Sequence, residues 1–281
     1  MKKAMKTALC GAGLVLLLAG VSAQAAVDGE TYRVAGGEEW VQTGNYSGLT
    51  MGIWKDGAVP ADGGTARLVT AGTIKLYPAS GLQLGAIEVS SGVNATLTSR
   101  GLTMTGANPY IQVANNGTLV CESSTPVSGT GANTLLLKTA PGYGVGRIDL
   151  YAGASNFGLL DIESGAVNGY CTGANQTMLT TGPVRLSGGY LSYVAKMASA
   201  GSASASIATG SGSTFTISPG PARLRVALRT NANDATLTVG PIVRDGRAYA
   251  EIDCSNETEN GQTLGARTFV KTTQAPMFLP V

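Results

Sequence analysis

Ile87-Glu88-Val89, Ile111-Gln112-Val113, Leu135-Leu136-Leu137, Leu160-Asp161-Ile162 and Val184-Arg185-Leu186 are five β-like triplets within residues 85–190. Their first residues stand 24, 24, 25 and 24 positions apart. A fixed interval of roughly 20–50 residues is the sequence signature of a solenoid. Alternate side chains of a strand point to opposite faces. The spacing therefore predicts one interior column of Ile87, Ile111, Leu135, Leu160 and Val184, and a second of Val89, Val113, Leu137, Ile162 and Leu186. All ten are aliphatic, and each is worth about 1.5–3 kcal/mol when buried. Glu88, Gln112, Leu136, Asp161 and Arg185 then face solvent, and Leu136 is the only apolar member of that set. The expected fold is all-β, a coiled β-helix (β-solenoid).

Composition agrees. Glycine is 40 of 281 residues, about twice its usual share of roughly 7%. Charged residues are only 13% and hydrophobic residues 43%, which argues for many tight corners rather than disorder. Ala71-Gly72, Ser91-Gly92, Asn115-Asn116-Gly117 and Gly144-Val145-Gly146 each precede a short β-prone run, as strand punctuation should. Beyond the triplets, strands are expected near residues 214–217, 224–228, 235–239 and 248–252.

The chain opens Met1-Lys2-Lys3-Ala4-Met5-Lys6, continues through an apolar run at residues 7–20, and reaches Ala23-Gln24-Ala25. Basic start, short apolar stretch and small-x-small site predict a secretory signal peptide over residues 1–25. The run is too short to span a bilayer comfortably. Cleavage there removes Lys2, Lys3 and Lys6, leaving 16 basic against 17 acidic residues, a net −1 in place of +2. No basic surplus remains to favour nucleic acid.

Residues 26–64 carry both tryptophans, Trp40 and Trp54, with Tyr32 and Tyr46. An open solenoid end needs an atypical cover, so this segment is expected to be an N-terminal aromatic cap. Trp40 and Trp54 are also the candidates for a sugar-binding platform. Residues 65–198 are then the solenoid and residues 199–213 a Gly/Ser/Ala-rich loop or linker. Residues 214–281 hold further strands and incomplete C-terminal coils, with residues 255–261 an exposed polar loop.

The order signal peptide, Trp40-x-x-x-Gly44-x-Tyr46, Trp54-Lys55-Asp56-Gly57-Ala58-Val59-Pro60, Leu84-Gly85-Ala86-Ile87-Glu88-Val89 resembles bacterial proteins with autotransporter-associated β-strand repeats. The resemblance covers residues 32–187. That family's usual Gly-x-Leu-x-Lys-x-Gly-x-Gly-x-Leu-x-Leu corresponds to residues 131–150. Leu136-Leu137-Lys138-Thr139 is recognisable there, whereas the glycine run is altered to Pro141-Gly142-Tyr143-Gly144. The resemblance implies a right-handed parallel β-helix, passenger-like, secreted or displayed at the outer membrane through a translocator, with a structural or adhesive role. Expected partners are host or matrix glycans or surface proteins, with end-to-end self-association through an exposed last coil. A translocator barrel needs many alternating strands of about ten residues, which residues 214–281 do not supply. The chain reads as a passenger without its translocator, a truncated product, or a stand-alone secreted protein.

β-Helices also carry polysaccharide lyases and glycoside hydrolases, so a carbohydrate-active enzyme is the alternative. Asp161 and Glu163, two apart on one strand, are the best acidic pair. The register sets Arg185 directly on Asp161, so a solvent-face ion pair explains both residues without catalysis. Arg147 and Asp149 fall half a coil away. Histidine is absent, which excludes imidazole-based triads and metal sites. Cys121, Cys171 and Cys254 are widely spaced and odd in number, so at most one disulfide is possible. No catalytic residue, metal or cofactor is expected.

Overall fold

The computed structural model describes residues 29–30, 63–69, 71–75, 82–98, 101–140, 146–172, 174–197, 201–228, 232–254 and 267–274. The expected signal peptide, Trp40, Trp54, the 142–145 glycine run and the 255–261 loop lie outside them. The described residues are all β, without helix, and every strand pairing among them is parallel. Nineteen strands form one large sheet and four form a second.

The chain builds three stacks and visits them in a constant order. The first stack holds Gly64–Leu68, Leu82–Val89, Tyr110–Val113, Thr134–Thr139, the first half of Leu159–Cys171, Val184–Leu186, Phe215–Ile217 and Ile242–Arg244. The second holds Gly72–Lys75, Asn94–Thr98, Thr118–Cys121, Arg147–Leu150, the second half of Leu159–Cys171, Gly189–Ala195, Ala222–Leu228 and Ala250–Asp253. The third begins with the first three residues of Leu82–Val89, which pair with Leu102–Met104, and goes on to Val127–Ser128 and Ala154–Ser155. It continues through a backbone bond from Ala154 to Leu179 into Gln176–Thr177, Gly201–Ile207, Ala232–Val239 and Arg267–Thr272. Gly29–Glu30 pairs with Ala66 and Arg67.

Three of the four expected triplet registers are present. Ile87 lies on Ile111, Leu135 on Leu160, and Leu160 on Val184. The fourth differs: Ile111 lies against Leu137, and Val113 against Thr139. The slip is two residues, so each side chain keeps its face. The aliphatic pattern alone cannot separate the two registers. Thr139, buried, closes the column by accepting the Ala166 N–H at 2.8 Å through its hydroxyl.

Two further expectations are corrected. Gly201–Ile207, inside the tract read as a loop, is a seven-residue strand between two neighbours. Its Ala203, Ala205 and Ile207 point into the core while the serines alternate outward. Asp161, placed on the solvent face by the triplet pattern, is buried.

One corner explains the regular interval. Gly92 has φ +72° and Asn116, 24 residues later, has φ +57°. Both occupy the left-handed region that glycine and asparagine tolerate best. The Gly92 N–H donates to the Asn115 carbonyl at 2.9 Å, so one corner rests on the next.

Candidate functional site

Outward side chains of successive strands meet in ladders. Arg67 Nε donates to Glu88 at 3.1 Å, and the Tyr110 hydroxyl donates to the same carboxylate at 2.7 Å. That bond, with burial, raises the Tyr110 pKa. Lys138 Nζ lies 2.7 Å from Glu163. Glu163 sits at a bulge, where Lys138 pairs with Ser164 rather than with it. Asp161 is 1% exposed and accepts from an Arg185 terminal nitrogen and from Ser187 Oγ at 2.9 Å. The hydrogen bond to Asp161 holds the Arg185 pKa above its ordinary value.

Both members of the nominated acidic pair are therefore engaged by a cation. Asp149 is held likewise, with Arg147 Nε at 3.0 Å and Asn168 Nδ2 donating to it at 2.7 Å. These residues sit on the second stack, apart from Asp161 on the first. Among the described residues no group of three or more His, Cys, Asp or Glu side chains could hold a metal ion. Cys121, Cys171 and Cys254 are free thiols. Burial pushes Cys121, helped by the Asp149 charge, and Cys171 each up to about 12.

Among the described residues an open cleft of about 160 Å³ lies on the second stack, lined by Tyr190, Pro221, Ala222, Arg223, Tyr249 and Glu251. Tyr190, Arg223 and Glu251 are register neighbours in one outward column. Gly220 makes this stacking possible. Its φ is +146°, and a Cβ there would meet the Ser187 carbonyl oxygen at 2.7 Å. The Arg223 guanidinium lies 5.5 Å from the Tyr190 ring centroid, a cation–π distance. It donates to Glu251 from Nε at 2.9 Å and from Nη2 at 2.6 Å. Asp253 lies 3.9 Å from it on the other side, and Arg225 Nε stands 3.7 Å from Asp253. Hydrogen bonding to Glu251 raises the Arg223 pKa. Tyr249 is 71% exposed beside this group.

The cleft residues escape a reading based on a 24-residue count, because Tyr190, Arg223 and Glu251 are 33 and 28 apart. The aliphatic partners Leu191, Leu224 and Ile252, one position on, share the register on the opposite face and mark it in the sequence. No family model, curated protein or solved structure matches the chain.

Proposed function

We propose that this chain is a secreted or surface-displayed, right-handed β-solenoid, passenger-like in the autotransporter sense, with a structural or adhesive rather than an enzymatic role. The observation that carries this reading is the constant order in which the chain revisits three parallel stacks. Parallel crossovers are right-handed in nearly all cases, which supplies the hand. The Lys2-Lys3 start, apolar run and Ala23-Gln24-Ala25 site support secretion, and passage to or through the outer membrane is what the resemblance to autotransporter-associated repeats implies. Trp40 and Trp54 are proposed to cover the first coil, since an uncapped end exposes strand edges. At the other end Ile252, on the last described strand of the second stack, is 55% exposed and offers a place for end-to-end association.

A carbohydrate-active enzyme is the competing reading. Glycoside hydrolysis needs two carboxyl groups free to move protons. Asp161 is sealed by Arg185 and Ser187, and Glu163 is paired with Lys138. The test is incubation of the mature protein with uronate polymers and neutral glycans, following unsaturated products and new reducing ends. No turnover, with retained adherence to glycan-coated or cell surfaces, is the expected result. Turnover that Asp161→Ala abolishes would overturn it.

A further inference from the structure

We propose that the cleft formed by Tyr190, Arg223, Tyr249 and Glu251 is a binding subsite for one neutral sugar ring of a glycan. The inference rests on the adhesive reading above and gives it a location and a ligand chemistry. Size comes first. About 160 Å³ falls well below the roughly 300–1,000 Å³ of a pocket for a drug-sized molecule, and suits a single ring.

Charge selects the class. In the lining the one cation, Arg223, stands against the one carboxylate, Glu251, with Asp253 3.9 Å from the same guanidinium, so no net positive charge faces the cleft. An anionic uronate or sulfated sugar finds no cation that is not already facing a carboxylate. A neutral ring meets what it needs. The Tyr249 ring, 71% exposed, presents an apolar face for the C–H side of a pyranose. Glu251, whose side chain is 59% exposed, accepts the Arg223 Nε and Nη2 bonds on Oε2, and its carboxylate has further acceptor capacity for sugar hydroxyls. The two bonds from Arg223, itself stacked over Tyr190, fix the direction of that carboxylate before a ligand arrives. This preorganisation lowers the ordering cost of binding.

Saturation-transfer NMR on the mature protein tests the inference. The probes are the methyl glycosides of glucose, galactose, mannose and N-acetylglucosamine, with methyl glucuronoside as the charged control. At least one neutral glycoside should bind, weakly as a single ring must, and the glucuronoside should bind less well. Tyr249→Ala should weaken that binding about 2- to 10-fold, the weight of one stacking contact. Tyr249→Phe should retain it, and Glu251→Gln should weaken it while leaving the chain folded. Because Tyr249 is so exposed, its truncation leaves the stack intact, which circular dichroism checks. Absence of binding by every neutral probe, or binding unchanged in both Tyr249→Ala and Glu251→Gln, overturns the subsite. Surface adherence of Tyr249→Ala separates the two levels of the claim. Full adherence with no turnover removes the cleft and leaves the adhesive reading standing, whereas turnover removes the reading itself.

Discussion

Two arginine–carboxylate pairs bridge neighbouring strands in the same way and have opposite surroundings. In the first stack, Arg185 covers Asp161, which is 1% exposed and also held by Ser187. In the second, Arg223 holds Glu251, whose side chain is 59% exposed beside two tyrosines. A parallel stack places equivalent positions one above another, so a cation and an anion at equivalent positions pair by default. Whether the pair supports the fold or remains open to a ligand depends on what covers the carboxylate. Asp161 has a second donor and no solvent. Glu251 has solvent and an aromatic neighbour.

The largest test of that contrast is removal of each cation. Arg185→Met leaves a buried carboxylate without its main partner and should cost about 3–5 kcal/mol, read as a lower urea midpoint. An unchanged midpoint would place Asp161 in contact with solvent and erase the difference between the two pairs. Next is the core between them. Leu160 is fully buried between Leu135 and Val184. Leu160→Ala should cost about 2–5 kcal/mol, whereas Ile252→Ala, at a half-exposed position, should stay within about 0.5 kcal/mol. Similar losses at the two sites would mean that Ile252 is covered in solution.

The regular part of this architecture is legible because alternation has period two and the corners recur. The register is less so. Sliding Thr134–Thr139 by two residues exchanges Leu135 for Leu137 on Ile111 and leaves every side chain on its face. Only the length of that strand and the placement of Thr139 decide it. Gly201–Ile207 reads as low complexity because alanine offers little apolar area. Its strand character comes from Ala205 on Leu237 and Ile207 on Val239, contacts with a distant segment. The burial of Asp161 is similarly non-local, set by Arg185 on the next strand and Ser187 just past its end. The cleft is hidden for a simpler reason. Intervals of 33 and 28 between its members depart from the count that reveals the rest.

The thiols extend the comparison to pH. Cys121 and Cys171 face the core, and burial holds both near 12 when folded. An unfolded thiol releases its proton near 8.5. Above that pH the unfolded chain binds fewer protons than the native chain, so stability falls as pH rises, and the loss continues up to about 12. Each thiol contributes a slope of at most about 1.4 kcal/mol per pH unit. Urea midpoints between pH 8 and 10 should decline, and Cys121→Ala with Cys171→Ala should flatten the slope relative to each variant's own neutral-pH midpoint. The exposed Cys254 should react with a thiol reagent in the native protein while the other two react only on unfolding.

The smallest effect is expected at the open pair. Glu251→Gln removes an exposed ion pair, and such pairs contribute about 0–1 kcal/mol. Its stability should fall by no more than about 1 kcal/mol at low salt and by less at high salt, where the parent's exposed pair is screened. Arg223→Met should lose somewhat more, at most about 2 kcal/mol, because it also removes the cation over Tyr190 and exposed cation–π contacts are worth about 0.5–1 kcal/mol. A loss above about 2 kcal/mol in either variant would show that the second-stack pair carries the fold as the first-stack pair does. The distinction drawn from exposure would then be wrong, because a carboxylate whose pairing stabilises the stack this strongly is committed to the fold rather than left open, beside Arg223, to a ligand.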